Sequence, residues 1–301
     1  MENKVENPLA KGMPEAPKLD LSKIKNLDAL NVKGDAKFVQ EIEKKQKKNA
    51  VKNAKSKFNF TEEYDIQLPS KGKFYQDEDD ENIKKGIITV RPMSVAEEEL
   101  MSNQTYIKNG SMFRRVFDSV ITNDFEAKKL IAYDSLYLMY ALRNVSYGDD
   151  YTIELKCPEC DKTFTHTFNI SEVPFDEIED DVEEKRVIKL PVSKYTVSMR
   201  ISRLQDDEEL ERMKKANPET SETILGYIIK TDEIFDDNDE PLDPKDWEDF
   251  FTALPVKDRT QISKAFAKDG KAPTIRVVCP KCGTEEEYGI PFQSDFFRSS
   301  F

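Results

Sequence analysis

YTIELKCPECDKTFTHTFNI, residues 151–170, reads as a strand, a tight turn carrying Cys157 and Cys160, and a return strand. RVVCPKCGTEEEYGIPF, residues 276–292, has the same form around Cys279 and Cys282. A Cys-Pro-x-Cys turn at the tip of a hairpin points two thiolates at one cation, about 3.5–4 Å apart. Two such turns close a tetrahedral sulfur site with Zn–S distances near ~2.3 Å. Gly283 follows the second pair, where such a turn needs a positive backbone angle. Asp161 holds the same place after the first pair, and Asp is among the few other residues that tolerate it. The expected cofactor is one structural Zn2+ per chain on Cys157, Cys160, Cys279 and Cys282. Free or redox-active thiols and two separate disulfides are the competing readings. With four sulfur ligands, no position is left open for a catalytic water.

Between the two pairs lie 118 residues, whereas a compact zinc ribbon spaces its pairs by about 15–20. An internal repeat accounts for the distance. Leu68-Pro69 and Leu190-Pro191 are 122 residues apart, and so are Cys157-Pro158 and Cys279-Pro280. Between these anchors VRPMSVAEEEL (90–100) is echoed by MRISRLQDDEEL (199–210), with one residue inserted. The expected fold is α+β: two similar strand–helix–Cys-hairpin halves, 61–180 and 186–301, joined by a zinc-ribbon-like four-cysteine site. Within the first half, Tyr64-Asp65-Ile66-Gln67-Leu68 alternates like a strand and Pro69-Ser70-Lys71-Gly72 turns it. QDEDDEN is an exposed connection to a second strand at 86–91. Ser94 and Glu97 have the spacing of a capping box. Helices follow at 111–121 and 134–145, the second with Leu136, Tyr137, Tyr140 and Ala141 on one face.

Charge divides the chain unevenly. Residues 1–60 carry 14 Lys against 8 acidic residues, although the whole chain is at −13. That segment, broken early by Pro8, Pro14 and Pro17, reads as a basic arm, disordered or partly helical through FVQEIEKKQ. It serves either as a solubilising linker or as a docking arm for a partner groove. The acidic body repels nucleic acid phosphates. No apolar run approaches the roughly 18 residues of a membrane span, and the N-terminus lacks the apolar stretch of a secretory signal. A reducing cytoplasm is the expected compartment, which favours metal over disulfides.

Little in the chain suggests catalysis. His166 is the one histidine and reads as a strand-surface residue ahead of a replacement metal ligand. There is no Gly-rich phosphate loop, no dinucleotide fingerprint, and only 10 glycines in all. Acidic runs such as DEIEDDVEEK read as solvated linkers. The tail IPFQSDFFRSSF is unusual: Phe292, Phe296, Phe297 and Phe301 either pack back on the body or anchor a partner subunit.

YDIQLPSKGKFY (64–75), ITVRPMSVAEEELM (88–101) and DSLYLMYALRNVSYGDDYTIELKCPEC (134–160) together resemble the baseplate hub subunit family of T-even-type contractile-tail bacteriophages. Its pattern is a Leu-Pro-Ser turn, an Arg-Pro strand feeding an acidic helix, and an Asp-x-x-Tyr-Leu helix before a Cys-bearing hairpin. The resemblance covers about 63–215 and weakens toward the end; the basic arm lies outside it. It implies a non-enzymatic tail baseplate or hub component, or an assembly factor, with other baseplate or hub proteins as partners. It also implies assembly in the host cytoplasm and a place in the virion tail. The alternative is a cytoplasmic zinc-ribbon protein that binds nucleic acid or the transcription machinery through its Lys-rich arm. A carboxylate-only hydrolase is a third class that the sequence leaves unsupported.

Overall fold

The structure, a computed structural model, describes residues 62–290 together with Phe296 and Phe297. The basic arm at 1–60, its FVQEIEKKQ helix, Phe292 and Phe301 lie outside the described residues. Among the described residues the fold is mixed α and β, with small antiparallel sheets and nine α-helices. They belong to one unit, Thr61–Phe301.

Strand β1 (Tyr64–Gln67) pairs antiparallel with β2 (Ile87–Val90), in register Tyr64↔Val90 to Gln67↔Ile87. The Leu-Pro turn between them runs through positive φ at Lys71 (51°) and Gly72 (80°). Gly72 has a second reason to be glycine: a Cβ there would stand 2.1 Å from the Lys84 carbonyl oxygen. The acidic stretch QDEDDEN is more than an exposed connection. Asp80 caps the short helix α1 (Glu81–Lys84) by accepting from the Asn82 and Ile83 N–H groups, and Glu78 pairs with Lys129 at 2.6 Å.

Helix α2 (Val95–Ser102) begins with the expected capping box at Ser94 and Glu97. After α3 (Gln104–Lys108), helices α4 (Met112–Val120) and α5 (Ala132–Tyr147) lie within a few residues of the positions read from periodicity. Helix α5 departs from the one-sided picture. Tyr140 is buried as expected, but so are Leu138, Met139, Leu142, Asp134 and Arg143, which lie around the helix. Leu138, Met139 and Leu142 enter a first apolar cluster with Leu68, Ile88 and Phe117, whereas Tyr140 enters a second beneath the Cys hairpins. A helix bridging two cores must be apolar on more than one face. DEIEDDVEEK likewise is not a free linker, because its Ile178 and Val182 are buried in the first cluster.

The remaining elements follow α5 in the chain. Strands β3 (Asp150–Lys156) and β4 (Thr163–Asn169) form the first Cys hairpin. A three-stranded sheet, β5 (Lys185–Lys189), β6 (Thr196–Arg200) and β7 (Thr231–Phe235), is antiparallel in that order. It encloses α6 (Gln205–Ala216) and α7 (Glu222–Lys230) in the chain. Helices α8 (Trp247–Ala253) and α9 (Val256–Ala265) come next, then the second Cys hairpin of β8 (Thr274–Val278) and β9 (Glu285–Gly289).

Three sets of hydrogen bonds recur between the two element sets. Arg91 holds Glu97 bidentately and reaches the Ser119 carbonyl, while the Ser94 N–H donates to Glu97. Arg200 likewise holds Asp206 bidentately and reaches the Ile229 carbonyl, while the Arg203 N–H donates to Asp206. Asp134, third residue of α5, accepts from the Ser70 N–H at 3.0 Å. Asp258, third residue of α9, accepts from the Val192 and Ser193 N–H groups at 2.8 Å. In both cases a buried carboxylate in the first turn of a helix fastens the Leu-Pro turn. The Cys turns make the third set.

Candidate metal centre

Each Cys turn is built by its own backbone. The Cys157 N–H donates to the Lys162 carbonyl (3.0 Å) and the Asp161 N–H to the Cys157 carbonyl (2.9 Å). In the second hairpin Cys279 donates to Thr284 and Gly283 to Cys279, each at 2.9 Å. Asp161 and Gly283 take the positive φ that closes such a turn, 58° and 78°. Only Gly adopts it without steric cost, and Asp tolerates it through its short polar side chain.

The turns meet face to face. Cys157 Sγ lies 3.6 Å from Cys282 Sγ, and Cys160 Sγ lies 3.8 Å from Cys279 Sγ. All four sulfurs fall within 4.8 Å of one another. Those spacings are the edges of a tetrahedron with metal–sulfur bonds of about 2.3 Å, and far exceed the ~2.05 Å of a disulfide. All four cysteines are free. Four sulfurs at this spacing can hold a metal ion, and the set is compatible with zinc.

The electrostatics of the cluster fit a cation at its centre. The Lys162 N–H favours the Cys160 thiolate, but burial and the three neighbouring sulfurs outweigh it and push the thiol up to about 12. Hydrogen bonds from the Thr284 side chain and backbone hold Cys282 down at about 6. The Lys281 N–H points at Cys279 Sγ from 3.4 Å. Crowded thiols resist joint ionisation, and a divalent ion held there would supply the missing countercharge.

The cluster rests on apolar ground. Cys157 and Cys279 are 0% and 1% exposed, over Ile153, Leu155, Phe164 and Val277 from both hairpins. Phe296 returns from the C-terminal segment to the same cluster, 5.3 Å from the Tyr140 ring and 5.1 Å from that of Tyr151. Phe297 packs beside it and against Phe113. Two of the four tail aromatics thus sit on the chain's own core. His166 stands on β4 opposite Ile153, its ring stacked on Phe168, outside the sulfur cluster.

Sequence reasoning missed the floor of the site. Tyr133, Tyr137 and Tyr140 all meet the Phe175 ring at 5.0–5.8 Å, tying α5 to the segment after the first hairpin. Only the i, i+4, i+7 spacing of the tyrosines hinted at it, and nothing marked Phe175. No described helix is long and apolar enough to cross a membrane.

No curated protein and no solved structure matches the chain. One family model does, over residues 61–298, the whole stretch that carries the repeated turns, both Cys hairpins and Phe296. The chain therefore belongs to the T4 bacteriophage base plate protein family, and is a structural component of a phage baseplate.

Proposed function

We propose that the chain is a hub or hub-assembly component of a contractile-tail baseplate, acting by binding other baseplate proteins and not by catalysis. One structural zinc on Cys157, Cys160, Cys279 and Cys282 clamps two related halves, 61–180 and 186–301. The observation that carries this reading is the meeting of two Cys turns 122 residues apart in sequence, with all Sγ atoms within 4.8 Å. A closed sulfur site contributes folding free energy and leaves no place for a reacting water. The recurring Arg91–Glu97 and Arg200–Asp206 pairs support the kinship of the halves. The acidic body disfavours the nucleic-acid alternative, for which binding would weaken steeply as salt rises.

Deletion of the gene in its phage, followed by electron microscopy of lysates, tests the role. The expected result is an absence of complete baseplates, restored by the chain supplied in trans. Normal baseplates on contractile tails without it would contradict the reading. A gold-tagged chain at the baseplate periphery, away from the tail axis, would contradict the hub assignment alone.

A further inference from the structure

The two Leu-Pro turns are fastened alike from within, by Asp134 and by Asp258, but only the first is covered from outside. Segment 176–182, DEIEDDV, lies across it: the Ile178 N–H donates to the Pro69 carbonyl at 3.1 Å, and Glu177 pairs with Lys71. The side chains of Ile178 and Val182 are buried in the first apolar cluster, and Ser70, just past the Leu-Pro pair, is 3% exposed. An aliphatic anchor between carboxylates is thus the chemistry that covers such a turn within this molecule.

The second turn has no such cover among the described residues. Pro191 is exposed and Val192 is 48% exposed, and the described donor to the Pro191 carbonyl is the Lys194 ammonium at 2.7 Å, on the surface. Beside them stands Val256, 69% exposed, two residues ahead of the Asp258 carboxylate that holds the Val192 N–H. Phe296 and Phe297, which follow the second Cys hairpin, pack against Tyr140, Tyr151 and Phe113 instead. The rim of the patch is positive in a chain whose net charge is −13. Lys189, Lys194 and Lys257 flank the two valines, are exposed, and form no ion pair with a described carboxylate. Against these three, the acidic residue at the patch is Asp258, buried and engaged by two backbone N–H groups.

We infer that the face formed by Val192 and Val256 docks an extended segment of a partner protein, one that carries an aliphatic residue between acidic ones. The aliphatic side chain covers the two valines, a backbone N–H of the segment meets the Pro191 carbonyl, and its carboxylates meet Lys189, Lys194 and Lys257. A second copy of the chain is the poorer occupant, because its own DEIEDDV is committed to its own first turn. The surface extends the reading of the chain as a protein that acts by binding others. Its failure would leave the baseplate role and the metal centre standing.

Fluorescence polarisation of the full-length chain with a fluorescein-labelled DEIEDDV peptide tests it. The expected result is saturable binding with Kd below about 1 mM, weakening as salt screens the lysines. The same peptide with Ile178→Ser should bind at least about tenfold more weakly, having lost its aliphatic anchor. Val192→Asp and Val256→Asp in the chain should each weaken the parent peptide by a similar factor, and Lys257→Glu by less. Val95→Asp, at a valine 70% exposed and likewise first in its helix, should leave binding unchanged. No saturable binding up to about 1 mM, or binding indifferent to both Val192→Asp and Val256→Asp, overturns the proposal. A wild-type dimer in sedimentation that Val256→Asp dissociates assigns the face to a second copy, and overturns it too.

Discussion

Asp134 and Asp258 do the same work 124 residues apart: each, buried at the third position of its helix, accepts from the backbone just after a Leu-Pro pair, Asp134 from one N–H group and Asp258 from two. The turn and the helix that precedes each Cys hairpin are thereby locked together.

Removing Asp258 leaves the Val192 and Ser193 N–H groups without their acceptor. Asp258→Ala should cost about 2–4 kcal/mol, the usual cost of stranding buried donors. Urea denaturation of the full chain measures it, and a change below about 0.5 kcal/mol would show the contact to be incidental.

The two carboxylates titrate differently because their donors differ. Burial pushes Asp134 up to about 6, against hydrogen bonds from Ser70 and Tyr75. Burial acts on Asp258 too, but there two backbone N–H groups prevail and hold it below the usual range. Between about pH 4 and 6 the folded chain binds more protons at position 134 than the unfolded chain, so this group makes stability fall as pH rises. The loss is up to about 3 kcal/mol. Asp134→Asn should flatten that segment of the stability–pH curve; an unchanged slope would rule out the assignment. Asp207, also raised to about 6 by burial, keeps its own contribution in the variant.

Glu97 has the opposite sign. Burial alone would raise it, but hydrogen bonds from Arg91, Ser119 and Ser94 bring it down to about 2. Its contribution is present above about pH 4.5 and is lost as pH falls toward 2. Glu97→Gln should lower stability by about 2–3 kcal/mol at about pH 7 and by little at about pH 2.5. Equal losses at both pH values would mean that the charge is not what matters.

Gly72 is bound by both conformation and space. Gly72→Ala places a Cβ 2.1 Å from a backbone oxygen at φ +80°, so loss of several kcal/mol or failure to fold is expected. Gly148, at φ +87° and ψ −179° with nothing within 4 Å, should lose only the conformational part, about 1–3 kcal/mol, on the same change. Thermal melts of the pair separate steric from conformational cost.

What the sequence disclosed was local. The Cys-Pro-x-Cys turns, the Ser94–Glu97 box and the Leu-Pro turns each declare themselves within a few residues, because short spacing fixes their geometry. Asp134 and Asp258 did not. Their partners lie 64 to 66 residues away, and among 59 acidic residues nothing local separates a buried anchor from a solvated charge. The acidic segments mislead because charge masks Ile178 and Val182 at i, i+4.

The central claim is that one zinc joins two hairpins from distant parts of the chain. Metal analysis of the full-length protein, purified without chelator, with parallel thiol titration, tests it most directly. The account predicts about one zinc per chain and four thiols that become reactive only after chelation, with metal content collapsing in Cys160→Ser or Cys279→Ser alike. Well under one zinc per chain, with four thiols reactive from the outset, would contradict it.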